Sequence, residues 1–408
     1  MNLYLCLILI ILLADFIWGQ TLSALNRNRM SPRIPKELEG IYKPSEYAKQ
    51  QLYQKTNSRF GLISGGFSFL LILAVLGFGL LGWLDESIRV HTMHYILLPL
   101  TFFGILLLVN EVLDLPFDWI SVFRIEERFG FNKSTPGIFV TDWIKGTLLN
   151  ILIGGIILTL IIVIYHYTAE WFWLLAWLII TLFSLIMSFF YSEWIVPLFN
   201  KQTPLEEGKL RTAIENFANK ANFQLDSIYL MDGSKRSTKA NAYFTGFGKK
   251  KRVVLFDTLL DELNTEEIVA VLAHEIGHYK KKHIIQSMIL SILTTGATLY
   301  ILSLFLNNTQ LAEALGGKQA SFHLGLIGFG LLFSPISECL GLLMNIISRK
   351  NEYEADTFAA QYGLGKPLIS ALKKISVNSL SNLNPHPWVV FWGYSHPTLL
   401  QRVKNLKI

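Results

Sequence analysis

The length, composition and charge of the chain indicate a membrane protein rather than a soluble one. Of its 408 residues, 51% are hydrophobic and 16% are charged, and the mean hydropathy of +0.40 excludes an ordinary soluble domain. The net charge of +6 matches the excess of Lys and Arg that membrane proteins carry beside an anionic leaflet, so we expect no nucleic-acid partner.

Seven segments are long and apolar enough to cross the hydrocarbon core of a membrane, which takes about 20 helical residues. We expect the first to be a retained span rather than a cleaved signal peptide, because no Lys or Arg precedes it. The segments are 3–19, 61–84, 95–113, 147–166, 171–191, 284–306 and 322–347. They predict an α-helical polytopic membrane protein with seven transmembrane helices.

The distribution of Lys and Arg predicts the orientation of these helices. The segments 20–60, 114–146 and 192–283 and the tail after residue 347 hold 34 of the 36 Lys and Arg residues. Because Lys and Arg accumulate in cytoplasmic loops, we expect the N-terminus outside and the C-terminus in the cytosol. The short loops favour a bacterial inner membrane; in a eukaryote, the endoplasmic reticulum is expected. Membrane lipid is an expected partner in either case.

The predicted spans divide the chain into four parts. Residues 1–191 hold five helices with their loops, 192–283 form an inward loop domain, 284–347 hold helices six and seven, and 348–408 form a C-terminal segment. In the loop domain, residues 206–221 have helical spacing. Strands are predicted at Ser227–Met231, Ala242–Phe247 and Arg252–Phe256, the last two joined by a turn at Gly248–Lys250. We therefore expect a small cytosolic α+β domain.

A His-Glu-x-x-His pattern lies at the end of this domain, in a stretch with helical character. His274 and His278 lie on one helix face and are able to bind one Zn²⁺, while Glu275 reaches its water as a general base. Asn264 is the predicted N-cap, with Glu267 in the reciprocal capping position, and the helix is expected to run toward Ile284. The pattern predicts peptide-bond hydrolysis; the alternative is a helix with two unpaired surface histidines.

A third ligand for such an ion is expected just beyond the seventh span. Glu352 follows the end of that span by five residues, so both ligand segments leave the bilayer on the same side. Asp356 shares a helix face with Glu352 and is placed to accept a hydrogen bond from a ligand histidine. The alternative is a pair of solvated helix acids. The two cysteines, Cys6 and Cys339, form neither a disulfide framework nor a C-x-x-C metal site.

Linked motifs along nearly the whole chain resemble the type I CAAX prenyl endopeptidases, which are membrane zinc proteases of isoprenylated proteins. The resemblance implies one Zn²⁺ per chain, with His274, His278 and Glu352 as ligands and Glu275 as catalytic base. It also implies seven spans around a large water-filled chamber. The motifs are Glu126–Lys133, Pro197–Lys201, Asn241–Phe244, Val254–Leu260, His274–His278, Glu352–Asp356 and Ser395–Pro397.

The same resemblance implies three residues near bound substrate. His396 and Arg402 match a family histidine and the arginine six residues later, where a cationic or hydrogen-bonding group stabilises an oxyanion. Asn241 begins a segment similar to the family's substrate-flanking edge strand, to which an extended peptide adds by main-chain hydrogen bonds. Without the resemblance, His396 reads as structural and Asn241 as a turn residue. Lys239 stands where relatives often have histidine, and no role is predicted for it.

The predicted function is that of an integral membrane zinc metalloendopeptidase of the CAAX prenyl protease type. Its expected substrates are peptides or proteins, prenylated or not, cut near the C-terminus by zinc-activated water. One alternative is a membrane quality-control metalloprotease with the same zinc core. An alternative of another class is a seven-span receptor or transporter, which has no use for an inward His-Glu-x-x-His helix.

Overall fold

The fold is described here from a computed structural model for residues 2–31, 34, 39–247 and 250–407. Seven of the helices that these residues form are long and apolar enough to cross a membrane, which confirms the predicted fold class. They are the helices that begin at Leu3, Pro44, Leu97, Pro136, Phe172, His283 and Phe322. The helices are α1 (Leu3–Asn28), α2 (Pro44–Gly77), α3 (Leu80–Arg89), α4 (Leu97–Phe129), α5 (Pro136–Thr168), α6 (Phe172–Leu198), α7 (Lys209–Lys220), α8 (Asp257–Glu262), α9 (Thr265–Lys280), α10 (His283–Ser303), α11 (Thr309–Ala314), α12 (Phe322–Gln361), α13 (Gly365–Asn378), α14 (Pro387–Gly393) and α15 (Leu399–Leu406).

Several of the spanning helices, α2 and α12 among them, continue well beyond the apolar segments that predicted them. Helix α2 begins at Pro44, where the ring of a first-turn proline presets the helical φ angle, and reaches the predicted span at residue 61 only after about five turns. Helix α12 continues past the predicted end at residue 347 to Gln361. These polar extensions are helical because nothing in their sequences breaks the helix. The α12 extension carries Glu352 and Asp356 toward the sheet domain.

A small mixed sheet lies between α6 and α9 in the chain, and within the described residues its strand order is β1-β2-β4-β3. Strands β2 and β4 are parallel, and β1 and β3 pair antiparallel with them. Two predicted strands have the observed bounds, β4 begins earlier than predicted, and β1 was not predicted. Residues 248 and 249 of the predicted turn lie outside the described residues. The strands are β1 (Gln202–Pro204), β2 (Ser227–Met231), β3 (Ala242–Phe247) and β4 (Lys250–Phe256).

One hydrophobic core joins the sheet to the helices on the same side. The inner face of α9 packs against the sheet, α7, α13 and the end of α12, and each fully buried Leu or Ile stabilises the fold by about 1.5–3 kcal/mol. Burial of this face fixes the rotation of α9 about its axis, and so the direction of its histidines. The most buried members include Ile214, Leu255, Leu259, Ala270, Ala273, Ile276, Ala359 and Leu368.

The loop after α4 ties the membrane helices to the segment that leads into β3. The Phe131 carbonyl accepts from Thr238 N, and Lys133 N donates to the Arg236 carbonyl. Lys239 Nζ lies 2.8 Å from Glu126 Oε2. Burial alone would lower the pKa of Lys239, but its hydrogen bonds and charge interactions with Glu126 and Tyr53 together outweigh burial and raise the pKa above its ordinary value. The two halves of the chain therefore meet directly before Asn241.

A cavity of about 1250 Å³ lies among α2, α4, α5 and α12. Its lining is mostly apolar, with residues such as Phe67, Leu107 and Ile156. Asn110, Asp114 and Asn150 supply polar groups. The helices therefore leave space for an apolar group inside the bundle.

Candidate metal centre

The first two candidate ligands are positioned by a helix with a capping box at its start. Asn264 Oδ1 accepts from Glu267 N at 3.0 Å, and the Glu267 carboxylate accepts from Asn264 N at 2.9 Å, as predicted from the sequence. Glu267 also accepts from Ser370 and Lys374 on α13. Burial would raise the pKa of Glu267, but the hydrogen bonds from Lys374 and Ser370 hold it below its ordinary value. The start of α9 is thus anchored to α13.

His274, His278 and Glu352 converge on one point between α9 and α12. His274 Nε2 lies 3.1 Å from His278 Nε2. Glu352 Oε2 lies 3.4 Å from His274 Nε2, and Glu352 Oε1 lies 3.3 Å from His278 Nε2. Three acceptor atoms this close repel one another unless a proton or a cation lies between them. The structure therefore brings together all three predicted ligands.

The geometry of this cluster fits a tetrahedral zinc ion. Ligand bonds of about 2.0–2.1 Å place neighbouring ligand atoms of a tetrahedron about 3.3 Å apart. This is close to the 3.1 Å between the two Nε2 atoms and to the 3.3–3.4 Å from each of them to its nearer Glu352 oxygen. Glu352 is only 4% exposed, and its Oε2 makes no hydrogen bond among the described residues, while Arg402 Nη1 lies 3.4 Å from it as an ion-pair partner. A buried carboxylate oxygen that lacks a hydrogen bond costs free energy, and a bound metal ion would offset that cost further than the guanidinium does at this distance. The donor set of two imidazoles and one carboxylate is one that zinc prefers in catalytic sites.

Asp356 and Arg402 lie directly behind His274. Asp356 Oδ1 is 2.9 Å from His274 Nδ1, which directs the Nδ1 proton to the carboxylate and leaves Nε2 free to bind a metal. Arg402 pairs with both oxygens of the same carboxylate, at 2.6 and 2.9 Å. Burial disfavours the charged form of His274, yet hydrogen bonds to Asp356 and Glu352 raise its pKa. Burial would likewise lower the pKa of Arg402, but the pair with Asp356 raises it.

The second histidine is supported by a chain that the sequence did not predict. His278 Nδ1 lies 3.1 Å from His283 Nδ1, and His283 Nε2 lies 3.2 Å from the Glu354 carboxylate. If His278 Nε2 faces the metal, its Nδ1–H donates to His283, which in turn donates its Nε2–H to Glu354. No role at the metal centre was predicted for His283 or Glu354 from the sequence. Both ligand histidines thus have a carboxylate behind them, directly for His274 and through His283 for His278.

Replacing His283 by Gln is expected to weaken metal binding by about 10- to 100-fold, because His278 loses the partner that fixes its ring orientation. The measurement is metal retention against a competing chelator. The matched control is His91→Gln, since the His91 side chain is exposed at the far end of α3. Equal metal retention by the two variants would show that the His283 contact does not support the site.

Glu275 follows His274 on α9, and His396 lies beside Glu352. The Glu275 side chain is half-buried and makes no hydrogen bond or ion pair with any side chain that the structure describes. His396 Nε2 lies 3.3 Å from Glu352 Oε1, and its side chain is 64% exposed. Arg402 is only 9% exposed and is held by Asp356, so it offers little surface to a substrate. Of the two predicted oxyanion residues, His396 is therefore the one that a peptide is able to reach.

Asn241 lies directly before the edge strand β3. Its Oδ1 accepts from Ala242 N, and its carbonyl accepts from Phe256 N. The side chain is exposed, and among the described residues it makes no hydrogen bond to His274, His278 or Glu352. One edge of β3 pairs with β4, and no other strand within the described range pairs with its opposite edge.

Gly277 allows the two ligand-bearing helices to approach each other. A Cβ atom at this position would lie 3.1 Å from Ala355 Cα and 3.2 Å from the Ala355 carbonyl oxygen. Both are backbone atoms of α12, which cannot move without moving Glu352. The small residue inside the His-Glu-x-x-His pattern therefore sets the distance between the imidazoles and the third ligand.

Gly277→Ala is expected to separate α9 from α12, lowering the free energy of unfolding by about 1–3 kcal/mol and reducing bound metal. Gly330→Ala is the matched control on α12, since a Cβ there would meet no atom within 4 Å. Thermal unfolding and metal content of the purified variants provide the test. A Gly277 variant that matches the control in both measurements would contradict the packing argument.

Comparisons with known proteins by sequence and by structure find the same relatives. Residues 24–201 match the family described as CAAX prenyl protease N-terminal, five membrane helices, and residues 204–408 match peptidase family M48. The chain is 36% identical to the CAAX prenyl protease 1 homolog of Arabidopsis thaliana, covering 92% of this chain and 90% of that protein. It is 33% identical to CAAX prenyl protease 1 of Saccharomyces cerevisiae, covering 92% and 88%. The crystal structure of S. mikatae Ste24p superimposes with a TM-score of 0.94 at 31% identity, covering 99% of both chains.

Proposed function

The chain belongs to peptidase family M48, with the five-helix N-terminal part of the CAAX prenyl proteases, and we propose that it is a zinc enzyme that cuts substrates near their C-terminus. The family predicted from the sequence motifs is confirmed, and the protein is an integral membrane metalloendopeptidase. The observation that carries the zinc proposal is the convergence of His274, His278 and Glu352, which bring one potential ligand atom each to within 4.8 Å of the others.

In the proposed reaction, His274, His278 and Glu352 hold the ion, which when bound lowers the pKa of water and polarises the scissile carbonyl. The Glu275 carboxylate accepts the proton of the attacking water and later gives it to the leaving amine. A hydrogen bond from His396 stabilises the negative charge on the carbonyl oxygen. Asp356, held by Arg402, keeps Nε2 of His274 directed at the ion, so Arg402 acts as a positioning residue.

We further propose that the substrate peptide binds as an added strand along β3. The unpaired edge of this strand offers backbone N–H and C=O groups in register with an extended chain. Asn241 stands at the start of that edge, where its side-chain amide is free to donate to a substrate carbonyl. In this arrangement the backbone of β3 determines the path of the peptide, and the side chains of the peptide contribute less to its binding.

The substrates are proposed to be proteins that end in a C-a-a-X sequence, with or without a prenyl group. The support is the similarity to the named CAAX prenyl proteases and the apolar cavity inside the helix bundle, which suits an isoprenoid chain. An isoprenoid in that cavity would gain about 25 cal/mol for each Å² of apolar surface removed from water. Soluble, unmodified peptides would then be poorer substrates.

The proposed orientation has the N-terminus outside and the metal site on the cytosolic side. Its support is the excess of Lys and Arg in the segments on that side. The bacterial inner membrane remains the favoured location, with the endoplasmic reticulum as the location in a eukaryote. The comparisons do not favour the receptor or transporter, nor the quality-control protease.

Cleavage of matched peptides by the purified protein tests this proposal. We expect a farnesylated C-a-a-X peptide to be cut faster than its unmodified form, with the new C-terminus identified by mass spectrometry. A chelator should abolish cleavage, and added Zn²⁺ should restore it. Equal cleavage of both peptides and of an unfolded protein such as casein would instead indicate a general peptidase.

A further inference from the structure

A second cavity, of about 660 Å³, lies between the ends of two membrane helices and the sheet. Its lining comes from Lys145 on α5, from Glu193 and the segment 197–202 at the end of α6, and from the sheet side. The sheet side contributes Tyr229, Asp232, Lys235 and Arg252. None of these residues takes part in the proposed reaction or belongs to the metal-ligand cluster.

The charges in this cavity leave a surplus of cations. Glu193 pairs with Arg252 at 3.3 Å, and the Asp232 carboxylate accepts from Asn200 and from the backbone N–H of Lys201. Lys145 donates one N–H to the Leu198 carbonyl and keeps two for a ligand. The ammonium groups of Lys201 and Lys235 are exposed and have no acidic partner among the described residues. A cleft lined by ammonium groups that have no acidic partner attracts an anion.

The residues around the cavity place it at the surface of a membrane. Tyr191 and Trp194, at the end of the apolar part of α6, are 53% and 55% exposed, as in the aromatic belts of membrane proteins. Ile144 and Leu148, which flank Lys145 on α5, are 45% and 61% exposed, which suits contact with acyl chains. The cationic cavity therefore opens where the apolar surface ends.

We propose that this cavity binds the phosphate-bearing headgroup of an anionic phospholipid, with Lys145, Lys201 and Lys235 as the cationic contacts. Its volume lies within the range of about 300–1,000 Å³ that is usual for small-molecule sites. Basic pockets beside transmembrane helices bind such headgroups, and the exposed apolar residues next to Lys145 provide a surface for the acyl chains. A soluble phosphate would make the ionic contacts but would gain nothing from that surface.

Native mass spectrometry of the full-length protein, released from nanodiscs of equal phosphatidylglycerol and phosphatidylcholine, tests the proposal. The test variant is Lys201→Gln/Lys235→Gln, and the control is Lys209→Gln/Lys366→Gln, which removes the same charge from exposed positions outside the cavity. We expect wild type and control to retain phosphatidylglycerol over phosphatidylcholine. The test variant should retain at least about fivefold less phosphatidylglycerol than wild type. Peptide cleavage reports whether each variant is folded.

Equal retention of phosphatidylglycerol by the two double variants would overturn the proposal. Complete displacement of the lipid by millimolar inorganic phosphate would also overturn it, because the ligand would then be a soluble anion. Should Lys201→Gln/Lys235→Gln fail to cleave peptide, Lys145→Gln alone provides the second test. Its retention of phosphatidylglycerol is also expected to fall. Loss of peptide cleavage in wild type would count against the proposed function, and thermal unfolding would then replace cleavage as the report of folding in the lipid measurement.

Discussion

Glu275→Gln is expected to leave the metal bound while slowing peptide cleavage by about 10²- to 10⁴-fold. The amide has nearly the shape of the carboxylate but cannot accept the proton of the attacking water. The half-buried side chain makes no hydrogen bond or ion pair within the described residues, so the substitution removes little that holds the fold together. Turnover of the farnesylated peptide and zinc per chain are measured on the same sample.

The control for this prediction is Glu266→Gln, on the exposed first turn of the same helix. It removes an identical charge from α9 without touching the cluster, so both activity and metal content should stay at the wild-type level. Comparable activity in the Glu275 and Glu266 variants would contradict the role of Glu275 as base. Loss of metal in Glu275→Gln would instead indicate that Glu275 helps to hold the ion.

Glu352→Ala is expected to reduce bound zinc from one per chain to near zero and to abolish cleavage. Glu352 is the proposed carboxylate ligand and lies on α12, 3.3–3.4 Å from the two imidazoles of α9, which without it would bind the ion alone. Structural and catalytic zinc sites usually need at least three protein ligands. Metal content after dialysis, measured by elemental analysis, provides the test.

The matched control for the Glu352 variant is Glu313→Ala, in the short helix α11, outside the cluster. It should bind zinc as wild type does. Full zinc content in Glu352→Ala would mean that another group supplies the third ligand. Thermal unfolding should accompany the measurement, since a loss of metal that follows general unfolding carries no information about ligation.

The sequence predicted those parts of the site that depend on local chemistry. The capping box of Asn264 and Glu267 was readable because both partners lie within one turn. The spacing of His274 and His278 put both rings on one face, and the position of Glu352 after span seven put it at the same depth. Strands β2 and β3 were readable from their apolar patterns. Each of these inferences spans only a few residues or one membrane crossing.

Other parts of the site depend on chain geometry that the sequence pattern does not carry. In a continuous helix, His283 would lie about 140° around the axis from His278. Instead α9 ends at Lys280, Lys282 takes a left-handed conformation with φ 61°, and α10 starts at His283, which turns its ring back toward His278. The positive φ is at a lysine rather than a glycine, so no glycine signalled the break.

A contact of the C-terminal helix α15 also depends on tertiary structure that the sequence pattern does not predict. The family resemblance assigned Arg402 to the substrate, but the structure buries its guanidinium against Asp356 on another helix. Strand β1 was missed because it has three residues and contains Pro204, which is tolerated at the edge of a sheet. Neither its short length nor its proline fits the pattern that predicts a strand.

The most direct test of the central claim is the anomalous scattering of zinc in crystals of the purified protein, recorded above and below the zinc edge. A single ion bound by His274 Nε2, His278 Nε2 and a Glu352 oxygen, at about 2.0–2.2 Å from each, is the predicted result. An ion bound elsewhere in the chain, or a crystal prepared with excess Zn²⁺ that shows none between α9 and α12, would contradict the account.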